Sequence, residues 1–229
     1  MDGDHMKNDN KTSHNAEIYD SQIESTIPYY DSIHHETINL VKSMGDPQVW
    51  LDTGCGTGTL VEKASKEFPN TRFLLSDPSQ GMLDEARSKL SSNPRIEILG
   101  NFTSEEINAT YKLDVVTAIQ SHHYMERDGR VKAVKNCYNL LKKDGVYVTF
   151  ENTRPFTKAG VEFAKNYWRN FQLSHGKNSE DVEAHLARFD VEYFPITVEE
   201  HRSVLEGVGF RVVELLWFSY MQAGFYCIK

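Results

Sequence analysis

The sequence predicts an α/β fold: an open, mostly parallel sheet covered by helices, with an antiparallel last strand and added helices serving as a lid and an insertion. Three observations carry this. Short apolar runs rich in strand formers alternate with helical stretches from Gln48 to Phe150, the repeat of βα units that buries a parallel sheet on both faces. A glycine-rich turn, Gly54-Cys55-Gly56-Thr57-Gly58, stands between the first run and the first helix of that series. Near the end, two strand-like runs are joined by a short loop, which makes them antiparallel.

At 229 residues and 39% hydrophobic content, the chain is long enough for one sizeable core and needs no second domain. No stretch approaches the about 18 apolar residues of a membrane span, and Met1 to Asn15 is polar with no signal-like run, so a cytoplasmic protein without a membrane partner is expected. Cys55, Cys137 and Cys227 are odd in number and lack C-x-x-C spacing, which suggests neither a disulfide framework nor a structural zinc site and fits a reducing compartment. A net charge of -8 works against sequence-independent binding to a phosphate backbone and disfavours nucleic acid as a partner.

Taken in order, residues 1–15 read as a disordered tail, since they hold nothing to bury, and residues 16–229 read as one domain. Within 16–45 the apolar residues Ile18, Ile23, Ile27, Ile33, Ile38 and Val41 recur at mostly helical spacing, interrupted at Pro28, so two lid helices are expected. Residues 48–152 carry the alternation itself: strands at Gln48 to Leu51, Thr71 to Leu75, Ile96 to Leu99, Leu113 to Ile119 and Gly145 to Phe150. Helices are expected between most of them, with a short Ser104 to Ile107 segment before the fourth strand. Residues 153–195 form a helical insertion, and 196–229 hold a helix opened by the capping box Thr197-x-x-Glu200. Strands at Phe210 to Tyr220 and Phe225 to Ile228 follow, with Gln222-Ala223-Gly224 as the connection.

An open parallel sheet binds its ligand beyond the carboxyl ends of its strands, where the glycine turn lies. Glycine there accepts positive φ and lets a ligand approach the backbone, which suits NAD as well as other adenosyl ligands. Two details separate them. The dinucleotide fingerprint G-x-G-x-x-G requires glycine where Thr59 stands, and Asp52 precedes the first glycine by two residues. A carboxylate there faces a pyrophosphate poorly and suits a cation such as S-adenosylmethionine, which carries an ammonium and a sulfonium. Asp77 follows the second strand about 20 residues on, where an acid accepts hydrogen bonds from ribose hydroxyls.

The runs D-x-G-C-G-T-G, D-P-S-x-x-M-L and L-D-V-V-x-A-x-x-x-H-H resemble the class I S-adenosylmethionine-dependent methyltransferases, over roughly Gln48 to Asn152. The resemblance implies their Rossmann-like fold and S-adenosylmethionine as cofactor. It places Asp52, Gly54, Cys55, Gly56 and Gly58 around the methionine part, Asp77 at the ribose, and Pro78 and Met82 along the adenine. Where the family usually has an acid after the third strand, this chain has Asn101 and Phe102, and Asn101 can accept the same adenine hydrogen bond. Gln120 and Ser121, after the fourth strand, fall at the methionine and substrate side.

His122 and His123 are the candidate general bases for a protonated acceptor; the alternative is that one packs beneath the loop while the other caps a helix or faces water. His34 and His35, adjacent on a helix, diverge and have no Asp, Cys or His at i+4, so no metal site is expected and both read as a solvated face. Tyr167 and Trp168 in the insertion, with Tyr19, Tyr29 and Tyr30 in the lid, are candidates for the substrate pocket. A second resemblance, through Ile27-Pro28-x-Tyr30, Thr-Val-Glu-Glu-His and Gly-Phe, is to the carboxy-S-adenosylmethionine synthases of tRNA wobble-uridine modification. It implies that Arg188 faces an extra cofactor carboxylate, but that group has D-x-G-C-S where this chain keeps Gly56. Methyl transfer to a small-molecule acceptor is therefore the expected activity, in a chain that is compatible with a homodimer. A synthase-like enzyme, an NAD oxidoreductase and a non-catalytic S-adenosylmethionine-binding regulator are the alternatives.

Overall fold

The computed structural model describes residues 16–229, so the tail expected at 1–15 lies outside the described residues. Two helices open the chain, α1 (Ala16–Thr26) and α2 (Tyr30–Met44), separated at Pro28 as the spacing predicts. The alternating core follows: β1 (Val49–Thr53), α3 (Thr59–Glu67), β2 (Arg72–Ser76), α4 (Gln80–Leu90), β3 (Ile96–Gly100), β4 (Leu113–Ile119), α5 (Arg127–Leu140) and β5 (Leu141–Asn152). Then come α6 (Lys158–Ser174), α7 (Ser179–Ala187), α8 (Val198–Val208), β6 (Val212–Ser219) and β7 (Gln222–Ile228).

The seven strands form one sheet in the order β3-β2-β1-β4-β5-β7-β6. The pairs among β1 to β5 are parallel, and β7 runs antiparallel to both its neighbours, β5 and β6. Strand order reverses between β1 and β4, and the carboxyl ends on either side of such a switch point bound a ligand crevice.

Side chains alternate across the sheet and feed cores on opposite faces. Leu51, Val116 and Tyr147 pack with Val134 and Cys137 of α5 and Leu205 of α8. On the other face Trp50, Phe73 and Val115 meet Val41, Val61 and Leu83 from α2, α3 and α4. Farther along that face Val146, Val148 and Phe150 meet Ile23, Trp168 and Leu186 from α1, α6 and α7. Among the described residues no helix is long and apolar enough to cross a membrane.

One local expectation is corrected. Gln222-Ala223-Gly224 is not the final turn but the start of β7, paired with Asn152, Glu151 and Phe150; the chain reverses at Tyr220-Met221 instead. Glycine at 224 answers a close approach, since a Cβ there would lie 2.4 Å from the Phe150 ring. The short segment before β4 forms a turn over 104–106, where the Asn136 side-chain amide donates to both Ser104 O and Ile107 O at 2.8 Å. The capping box is present, with Thr197 Oγ1 accepting from Glu200 N and the Glu200 carboxylate accepting from Thr197 N.

Candidate functional site

The carboxyl end of β1 begins the site. Asp52 points into the crevice and is nearly fully buried. Its Oδ1 accepts a 2.6 Å bond from Thr117 Oγ1, which itself accepts from the Trp50 indole N–H at 2.9 Å. Burial pushes the Asp52 carboxyl up to about 7 and the Asp77 charge adds to the rise, while the Thr117 bond opposes both. A buried carboxylate with no cation beside it among the described residues is prepared for a cation from outside.

The glycine turn follows with φ of 69°, 54° and 79° at Gly54, Gly56 and Gly58. A Cβ at Gly54 would fall 2.4 Å from Ser121 Cβ, whereas the space over Gly56 is open. The backbone N–H groups of this turn are largely used within the protein. Those of Gly54 and Cys55 donate to Ser76 O, Gly56 N donates to Asp77 Oδ2 at 2.8 Å, and Gly58 N donates to Cys55 O. The turn thus gives a ligand room more than donors. Asp77, after β2, also accepts from Ser79 N through Oδ1, and Ser79 Oγ caps α4 by accepting from Met82 N.

After β4, Gln120 adopts a left-handed φ of 55°, with its N–H donating to Phe150 O at 2.6 Å. Both polar atoms of its side-chain amide are buried without a hydrogen-bond partner among the described residues. Backbone strain and unsatisfied polar atoms on one residue mark a place where the fold retains a cost, and such places cluster at ligand sites.

These groups enclose a cavity of about 310 Å³, at the lower end of the range of small-molecule sites. Asp52, Gly54, Cys55, Gly56, Asp77 and Pro78 line it from the first two strands, with Met82 from α4 and Gln120 and Ser121 after β4. Tyr19 of α1 and Tyr30 of α2 close it from the lid side, and the Tyr19 hydroxyl bonds that of Tyr30. Asp20 of α1 fastens the lid to the turn: its Oδ1 accepts from Thr57 Oγ1 at 2.6 Å and its Oδ2 pairs with Lys89 of α4.

Other predicted residues stand elsewhere. Gly58 packs the turn against Leu90, which a Cβ would approach to 2.7 Å. Asn101 and Phe102 are exposed and outside the cavity wall, and Thr103 and Glu105 line it in their place. His122 and His123 are not in the wall either. The sequence between β4 and α5 forms a single 3-10 turn (His122–Tyr124) that turns both rings inward. His122 is held by Ser104 Oγ at 2.8 Å and Tyr147 Oη at 3.1 Å; His123 Nδ1 lies 2.7 Å from Glu151 Oε2. Both rings are thus tied into the loop and stand outside the cavity wall, away from where a general base would face a ligand.

Tyr29 and Tyr167 are about half exposed and meet Tyr220 on the outer surface, the Tyr167 ring stacked on it at 4.0 Å. Trp168 is core, its indole N–H donating to Thr26 O at 2.7 Å. Arg188 pairs with Glu192 and bonds the hydroxyl of Tyr124, a wall residue, while its Nη2 is buried with no partner among the described residues. No group of three or more metal-ligating side chains occurs among the described residues.

The wall also contains His34, Tyr124, Met125, Glu126 and Gly129, which sequence reasoning missed. His34 is 2% exposed, not solvated; only His35 meets solvent, beside Asp31. Helical spacing held the signal, because Tyr30, His34, Thr37 and Val41 form one buried face of α2.

Residues 51–147 match the family model described as a methyltransferase domain. A carboxy-S-adenosyl-L-methionine synthase from Staphylococcus epidermidis is 25% identical over 223 residues, covering 92% of this chain and 91% of that protein. An O-methyltransferase family protein from Burkholderia thailandensis matches in structure with a TM-score of 0.64 at 14% identity, over 93% of this chain. This chain spans only 58% of that neighbour's length. A plantazolicin methyltransferase, solved with a monoazolic desmethylPZN analog and SAH, matches with a TM-score of 0.68 at 14% identity, over 93% of this chain and 88% of that one. Domain match, strand order and glycine turn together give the chain a core similar to that of the class I S-adenosylmethionine-dependent methyltransferases and support an S-adenosylmethionine-dependent enzyme. Within that class, its relatives of low identity include carboxy-S-adenosyl-L-methionine synthases.

Proposed function

We propose that the chain transfers a methyl group from S-adenosylmethionine to a small-molecule acceptor. The observation that carries this is Asp52, a buried carboxylate facing a cavity whose described wall contains no lysine or arginine. The residues present fit the cofactor. Asp52 would take its ammonium, Asp77 would use its remaining acceptor capacity on the ribose hydroxyls, and Pro78 and Met82 would flank the base. The Gln120 amide supplies a donor and an acceptor that the protein leaves unused.

When bound, the cofactor supplies a methyl group on a sulfonium already activated by its charge. The protein's contribution is to align the acceptor and exclude water. Tyr19 and Tyr30 do so from the lid helices, and Tyr124 from the loop after β4. Residues 16–229 act as one domain in this reading, with 153–195 as an insertion behind the lid, in a cytoplasmic protein that is free to form a homodimer.

Calorimetric titration with S-adenosylmethionine and with NAD tests the cofactor. Binding of the first and not the second is expected, and the reverse would overturn the reading. Incubation with fractionated cell metabolites, followed by detection of S-adenosylhomocysteine, tests transfer against a regulator that only binds. A second reading, a synthase-like reaction on the cofactor, is favoured by the unpartnered Arg188 Nη2 beside Tyr124 and by the curated relatives. Mass spectrometry of the copurified cofactor separates the two: an added carboxylate, lost in Arg188→Ala, would favour the synthase.

A further inference from the structure

We propose that His34 is the residue that receives the carboxylate of the cofactor's amino-acid end, by donating a hydrogen bond from its ring. The inference rests on the methyltransferase reading above and adds to it a partner that the glycine turn does not provide. The cofactor's amino-acid end is a zwitterion. Asp52 answers its ammonium, and the carboxylate requires a donor of its own. Lysine and arginine are missing from the described wall, and the N–H groups of Gly54, Cys55, Gly56 and Gly58 are bound within the protein.

His34 fits the vacancy by place and by chemistry. Its ring forms part of the cavity wall, is 2% exposed, and has an Nδ1 with no hydrogen-bond partner among the described residues. It stands one helical turn beyond Tyr30, with the two rings edge to face at 4.5 Å, so α2 presents a phenol and an imidazole to the same space. Leu60, in the first turn of α3 after the glycine turn, belongs to the same wall, and Lys63 one turn later exerts the largest charge effect on the ring. This sets His34 at the glycine-turn end of the cavity, with Asp52. Asp31 and His35 on its own helix and Lys89 of α4 also act on it, and burial outweighs them all, holding the ring neutral with a pKa near about 3. A neutral imidazole has one N–H to give, enough for one carboxylate oxygen.

The test compares S-adenosylhomocysteine with its decarboxylated form, which keeps the ammonium and the adenosine, by calorimetry. The wild-type protein should prefer the carboxylate-bearing ligand by about tenfold or more, as expected for a hydrogen bond to a charged group. His34→Phe, which keeps a ring against Tyr30 and deletes both nitrogens, should erase the preference, and His34→Gln should restore part of it. With histidine-selective 15N labelling, the His34 ring signals of the wild-type protein should move with S-adenosylhomocysteine and not with the decarboxylated form. Equal affinities for the two ligands, or unmoved ring signals, would overturn the assignment while leaving the methyltransferase reading intact. Failure of the wild-type protein to bind S-adenosylhomocysteine at all would overturn both.

Discussion

Asp52 concentrates the electrostatics of the site in one side chain. Its carboxyl is held near about 7 in the folded protein against an ordinary value of 3.8, with burial as the main cause. Because the folded value is the higher one, the contribution of this group to stability is complete below about pH 4 and is lost as pH rises through 7. Ionised with only the Thr117 hydroxyl to answer its charge, it costs the ligand-free protein on the order of a few kcal/mol. Asp52→Asn should therefore raise the melting temperature at pH 8 and change it little at pH 4, while weakening S-adenosylmethionine binding at least tenfold. Scanning calorimetry at the two pH values and a binding titration check both halves. The importance of Asp52 was legible in sequence, since it needed only the distance to Gly54. The inward turn of His122 and His123 was not, because the acceptor that fixes His123 is Glu151, brought near by the pairing of β4 with β5.

Elements show the same division between local and distant causes. At the end of β5, burial alone would raise the Glu151 carboxyl, but the hydrogen bond from His123 Nδ1 and electrostatic interaction with His123, His122 and His201 outweigh it and hold it at about 2, below its usual 4.5; His122 N, His123 N and Thr149 Oγ1 also donate to it. Its stabilising contribution is present above about pH 4.5 and disappears as pH falls through 2. Glu151→Gln should destabilise the neutral-pH protein by about 3 kcal/mol, read from the urea midpoint, because buried donors lose a charged acceptor. In β7, Gly224→Ala should lower the melting temperature by several degrees, since the new methyl group must displace the Phe150 ring in a packed core. Glycine there looked like a turn in the sequence because its real reason, a ring on the neighbouring strand, is about 70 residues away along the chain. The α8 capping box, by contrast, is made wholly of residues three apart and was readable directly.

At the scale of the whole molecule, the mostly parallel sheet and the position of the crevice followed from the alternation of short strands and helices, whose periodicity is a local property. Tyr19, Tyr30 and the residues of the first, second and fourth strand ends were legible in the wall, but His34, Thr103, Glu105 and the Tyr124 to Gly129 stretch were not, because they join it only after the sheet has formed. The link from Asp20 to Thr57 and Lys89 gives this assembly a kinetic side. The link holds α1, whose Tyr19 closes the cavity, against the glycine turn, and its opening is expected to govern how fast a ligand leaves, as distinct from how tightly it binds, through a partly exposed ion pair. Asp20→Asn should shorten the residence time of S-adenosylhomocysteine severalfold in stopped-flow displacement. Added salt should shorten it in the wild-type protein and much less in the variant, making turnover by this enzyme responsive to the ionic strength around it.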